Sequence, residues 1–106
     1  MKNTLSAALG SSVLLPCNFV TSRNNWVSWT HTSEENLVNL TSQGHIKFLL
    51  PKGGRLKAFP NQGSEGNYSI RIDELKDTDL GCYFCRQEDK CVKVELFAAP
   101  GKWISV

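Results

Sequence analysis

The chain contains no apolar run approaching the ~20 residues that span a bilayer, and no stretch with a helical period long enough to organise a fold. Catalytic signatures are missing as well. There is no nucleophile elbow and no phosphate-binding loop, and the two histidines, His31 and His45, supply no metal-binding pair. The acidic doublets 34–35, 73–74 and 88–89 are adjacent in sequence, so on strands their carboxylates face opposite ways. Charge of one sign is also lacking: 12 Lys and Arg against 10 Asp and Glu leave +2, too small and too mixed for a nucleic-acid surface. These absences argue against an enzyme, a cofactor or metal site, and a nucleic-acid binder. No leader is visible, because residues 1–3 run straight into Leu5 without an apolar stretch of about 7–15 residues. Met1 reads as an expression start on a trimmed ectodomain, with any membrane anchor in segments outside this fragment.

What remains is a chain of 106 residues with 41% hydrophobic composition, enough for one domain with a modest core. Four cysteines point to an oxidising compartment if they pair. Two sequons, at Asn39-Leu40-Thr41 and Asn67-Tyr68-Ser69, fit secretion and are candidate glycosylation sites. Apolar residues recur at period two, the signature of half-buried strands. Val13, Leu15, Cys17 and Phe19 share one face of a strand over 12–19, with Pro16 on the opposite parity marking an edge or bulge. Val27, Trp29 and His31 follow, then strand-like segments at 37–40, 45–50, 55–59 and 67–72. Val92, Val94 and Leu96 close the series, and a first edge strand is expected at 5–9. The predicted architecture is all-β, with about nine strands in residues 5–97.

The stretch 79–85 carries D-x-G-x-Y-x-C, and each position has a physical task. Asp79 ends a turn and offers a carboxylate to a cation. Gly81 permits a tight bend, Tyr83 can turn its hydroxyl back to cap the turn, and Cys85 lies in a strand aimed at the core. With Cys17 upstream and Trp29 twelve residues after it, the set resembles the tyrosine corner and inter-sheet cysteines of the immunoglobulin superfamily. The extra chain between 32 and 54 resembles the variable (V-set) type, a two-sheet Greek-key sandwich. That resemblance implies a Cys17–Cys85 disulfide packed against Trp29. Closing a loop of about 69 residues would contribute roughly 4 kcal/mol in the chain-entropy model. It also implies an ion pair between Arg55 and Asp79 at the base of the sandwich. His31 falls near the same corner and reads as a packed histidine.

Cys82 and Cys85 spell C-x-x-C, yet residues three apart on a strand point to opposite faces and cannot share a metal. Cys82 and Cys91 have the same outward parity on neighbouring strands. An intrachain bridge between them is expected if the hairpin turn is tight; a looser turn leaves two thiols or a link to another chain.

Phe84 has outward parity between Cys82 and Arg86, and an aromatic turned to solvent is a candidate anchor for a protein partner. Trp26 and Arg86 would flank it, with Lys93, Glu95 and Lys90 as a polar rim. The alternative is that Phe84 is covered by the side chains of the 37–40 strand.

Within the superfamily, residues 54–60 and 66–72 are similar to butyrophilin-type and costimulatory-ligand domains. Gln43-Gly44 and the short last hairpin are similar to the first domain of the helper T-cell co-receptor for MHC class II. Cys82 and Cys91 resemble more closely the innate immune receptors of lower vertebrates. The last strand lacks the F/W-G-x-G of rearranged antigen receptors. The resemblance therefore implies a germline-encoded immune receptor or ligand on the outer side of the plasma membrane, or secreted, that binds another protein. A structural domain that homodimerises or pairs with a receptor subunit is the second expectation.

Overall fold

Among the described residues, the alternating segments form nine strands in two layers. The computed structural model describes residues 2–19, 26–31, 35–41, 44–49, 54–59, 66–88 and 90–99. The strands are β1 (Lys2–Ala7), β2 (Val13–Leu15), β3 (Val27–His31), β4 (Glu35–Leu40), β5 (Ile46–Phe48), β6 (Leu56–Ala58), β7 (Ile70–Ile72), β8 (Gly81–Gln87) and β9 (Lys90–Ala98). One sheet has the order β1-β9-β8-β3-β4-β5 and the other β2-β7-β6. The chain crosses between layers before β2, β3, β6 and β8, which is Greek-key connectivity. The loop at 21–25 and the turn at 51–53, both anticipated from sequence, lie outside the described residues.

The first strand differs from expectation. It begins at Lys2 and ends at Ala7, running parallel to β9. Leu9 and Gly10 belong to a turn whose Gly10 amide donates to the Leu75 carbonyl at 2.7 Å. Gly10 has φ 91°, a conformation glycine adopts without a Cβ penalty.

Alternation fills the space between the layers. Leu15, Val27, Trp29, Val38, Ile70 and Ile72 are all closed to solvent. Cys17 and Cys85 join the two sheets through a disulfide with a Cα–Cα distance of 6.4 Å. Trp29 is the direct cross-strand neighbour of Cys85. Its indole N–H donates to the Tyr68 carbonyl in the opposite layer at 2.8 Å, so the largest core side chain buries no unmet donor.

The base of the sandwich is a polar knot. A 3-10 turn at Asp77–Asp79 buries the Asp79 carboxylate. Arg55 donates to both of its oxygens, at 2.6 and 3.1 Å, and the Lys76 amide adds a third bond at 2.8 Å. The hydrogen bond it donates to Asp79 holds the Arg55 guanidinium above its usual range. The Tyr83 hydroxyl donates to the Asp79 carbonyl at 2.5 Å. Gly81, at φ 123°, makes the bend into β8 that this geometry requires. His31 stacks on the Tyr83 ring with centroids 4.1 Å apart. Its Nε2 lies 3.1 Å from the Leu80 carbonyl, which can only accept, so Nε2 carries the proton.

The two arginine pairs at this end should differ sharply in energy. Arg55–Asp79 is buried, whereas Arg71–Asp73 leaves its side chains 44% and 25% exposed. Arg55→Ala strands a buried carboxylate and should cost about 3–5 kcal/mol in urea unfolding. Arg71→Ala should cost less than about 1 kcal/mol. The Asp73 carboxyl is lowered below its ordinary value by hydrogen bonds from Ser12 and then Arg71. A carboxyl depressed in the folded state adds stability above its unfolded pKa of about 4 and loses it as the pH falls through the folded value. Asp73→Asn should therefore flatten the fall in stability below about pH 4, as measured by melts across pH.

Candidate functional site

The outward face of the six-stranded sheet is built by strand alternation and cross-strand register. Because Trp29 and Cys85 point inward, Ser28, Thr30, Phe84 and Arg86 point out. Register then lays the side chains in rows. One row runs Lys47–Asn39–Ser28–Arg86–Cys91 across β5, β4, β3, β8 and β9. The next runs Asn36–Thr30–Phe84–Lys93, and below it Cys82 faces Glu95. Phe97 ends the face beside Ser6 of β1.

At the centre sits Phe84, half-buried, with the Arg86 guanidinium carbon 4.7 Å from its ring centroid. That is the geometry of a cation–π contact. Arg86 also donates to the Thr30 hydroxyl at 3.3 Å. The ring is thus roofed on one side by the Arg86 guanidinium. Trp26, immediately before β3, is 46% exposed, and Phe97 is 50% exposed. Lys93 lies 3.6 Å from Glu95, whose Oε2 also accepts from the Cys82 thiol at 3.8 Å. With that pair offsetting itself, Arg86 and Lys47 give the face a cationic excess among the described residues.

A bulge shapes the β4 side. Trp29 pairs with Val38 and Thr30 with Asn36, so Leu37 is the extra residue and turns inward with Val38. The Asn36 and Asn39 carboxamide oxygens that flank it are buried and have no hydrogen-bond partner among the described residues.

Cys82 and Cys91 share this face but are not bonded to each other. The β8–β9 hairpin pairs Gln87 with Lys90, so it folds back two residues later than a register placing Cys82 opposite Cys91 would need. This register sets Cys82 opposite Glu95 and Cys91 opposite Arg86. Four residues of offset separate the Cα atoms by about 13 Å, against the ~4.4–6.8 Å a disulfide requires. The expected intrachain bridge is therefore corrected to two separate thiols. Cys85 points away into the core disulfide, so the C-x-x-C forms no shared site. Lys90 also moves: opposite Gln87 at the hairpin end, it has core-facing parity and borders the face rather than lying on it. Phe97 and Lys47 were missed as site residues, although alternation from Leu96 would have turned Phe97 outward.

The Immunoglobulin V-set domain model matches residues 1–96. The chain belongs to the immunoglobulin V-set family. Among relatives of this V-set chain, T-cell surface glycoprotein CD4 of Rattus norvegicus is 26% identical over 88 residues, covering 83% of the chain. The chain spans 19% of that protein's length. One similar solved structure, of VGSC beta subunits studied for multimeric cell-adhesive interactions, has a TM-score of 0.74 and 24% identity, with 92% of each chain covered. Another is the extracellular domain of the voltage-gated sodium channel beta4 subunit, described as a parallel homodimer with a role in cell–cell adhesion. It gives a TM-score of 0.78 at 20% identity, covering 99% of this chain and 92% of that one. At these identities the structural likeness is one of fold.

Peptide mapping without reduction, after blocking thiols in denaturant, checks the cysteine assignment. It should recover a peptide linking Cys17 to Cys85 and none linking Cys82 to Cys91.

Proposed function

We propose that this V-set domain is a non-enzymatic recognition module on the extracellular side of the plasma membrane, binding a protein partner through the outward face of the six-stranded sheet. The observation that carries the reading is Phe84, an aromatic at the centre of that face with Arg86 stacked on it. Aromatic and arginine side chains dominate the energetic centres of protein interfaces, and a partner that displaces the guanidinium gains the ring beneath. Trp26 and Phe97 extend the apolar surface toward its two ends, while Lys93 and Glu95 form a polar border. The cationic excess favours a partner with acidic groups around an apolar recess. The adhesion roles printed for the sodium channel beta subunits, and the surface location in the name of CD4, support a cell-surface setting.

A second reading, a domain that pairs with its own copy, is favoured by the parallel homodimer described for the beta4 subunit. Sedimentation separates the two: a monomer at micromolar concentration supports a foreign partner, a dimer the homotypic contact.

The test is a binding screen against a panel of cell-surface proteins, repeated with Phe84→Ala, Arg86→Ala and, as a control on the other sheet, Lys57→Ala. Each face variant should weaken binding about tenfold or more, with the melting temperature close to wild type and Lys57→Ala without effect. Binding unchanged by both face variants would exclude this surface.

A further inference from the structure

We propose that Asn39 carries an N-linked glycan that shields the β4–β5 half of the outward face and confines a partner to the half built by β8, β9 and β1. The inference rests on reading that face as the binding surface, and adds a covalent modification that limits it. Asn39 stands between Val38 and Leu40, both buried, so alternation turns its side chain outward. Its neighbours are Ser28 on one side and Lys47 on the other, and Arg86 lies one strand beyond Ser28. At about 4.8 Å per strand, Asn39 is roughly 10 Å from Arg86, and a bulky, solvated oligosaccharide rooted there overhangs Lys47 and Ser28.

Two further observations favour this sequon. The Asn39 and Asn36 carboxamide oxygens are buried without a hydrogen-bond donor among the described residues, which is unusual for native side chains. The Asn39 oxygen is turned into the structure while the residue as a whole is only half-buried. In both sequons the hydroxyl has structural work, that of Thr41 accepting from the His45 amide at 3.1 Å, but at the Asn67 sequon the fold uses the asparagine oxygen as well. The Asn67 Oδ1 accepts from the Ser69 amide and hydroxyl at 3.1 and 2.6 Å, and the Ser69 hydroxyl in turn accepts from the Cys17 amide. Asn67 also lies beside Asn18, away from the six-stranded face.

The transfer uses a lipid pyrophosphate-linked oligosaccharide as the second substrate. The Asn39 Nδ2 forms a bond to the anomeric carbon of the first sugar, the bond from that carbon to the pyrophosphate oxygen breaks, and Nδ2 loses one proton. The lipid pyrophosphate leaves with the bonding electron pair, and nothing is oxidised or reduced.

The experiment secretes the chain from mammalian cells as wild type and Asn39→Gln. Glycopeptide mapping should find Asn39 occupied in the wild type. An amine-reactive ester carrying a polyethylene glycol chain should then acylate Lys47 several-fold more slowly in the wild type than in Asn39→Gln. Lys57, exposed on the other sheet, should react equally in both. Enzymatic removal of the glycan from the folded wild type should restore Lys47 labelling, which guards against a variant that folds poorly. An unoccupied Asn39, or equal Lys47 labelling with and without glycan, overturns the proposal. A glycan that shields Lys47 alongside a Phe84→Ala variant that binds normally leaves the shielding intact and removes the face as binding surface.

Discussion

The bond between Cys17 and Cys85 is the constraint on which the remaining geometry depends. It ties β8, the middle of the larger sheet, to the segment just after β2 in the smaller one. Closing so long a loop is worth about 4 kcal/mol in the chain-entropy model, a large share of the roughly 5–15 kcal/mol of a typical domain. Its value is also positional. With Cys85 committed inward, every second residue of β8 is committed outward, and the same link sets Trp29 across from it at the centre of the core. A smaller sheet of three strands, each three residues long, could not impose that registration through its own ladder.

The corner below acts on the same strand from its other end. Asp79 is closed to solvent and receives donors from Arg55 and from backbone, so the turn has one geometry in which its charge is met. Tyr83 closes on the Asp79 carbonyl and stacks with His31, which fixes where β8 begins relative to β3. Between disulfide and corner, β8 has no freedom to slide, and a one-residue slip would turn Phe84 and Arg86 into the core. The outward face of the larger sheet is thus set by a disulfide and a corner that both lie off it.

Alternation made the layers readable from residues alone: Val27, Trp29, Val92, Val94 and Leu96 have inward parity in the sequence, and in the structure they are buried. Register was less accessible, because it depends on quantities that side-chain periodicity does not carry. The distance between Cys82 and Cys91 turns on where the β8–β9 hairpin folds back, and composition does not distinguish a fold-back after Gln87 from one two residues earlier. The bulge at Leu37 breaks period two, placing two consecutive apolar side chains inside, so the parity of Asn36 could not be read by counting back from Asn39. The start of β1 at Lys2 escaped for a related reason. Its polar residues are held by backbone pairing with β9, and Lys2, Asn3 and Thr4 show no apolar alternation to announce a strand.

The two outer surfaces differ in how far their polar groups are already satisfied, and this difference bears on what each would offer a partner. On the smaller sheet, Arg71 is paired with Asp73, and Asp73 also accepts from Ser12 at 2.8 Å. Those charges are spent on one another, and a partner covering them would have to replace bonds that already exist. On the larger sheet, Arg86 rests on a ring and a single hydroxyl, and the Asn36 and Asn39 oxygens have no donor among the described residues. Covering that surface would remove apolar area from water at the cost of few existing bonds. The same logic divides the face itself. Its apolar gain lies around Phe84 and Phe97 on β8 and β9, and its unmet acceptors lie on β4. A protein partner seated on the first region and a sugar rooted at the second therefore do not compete for the same groups.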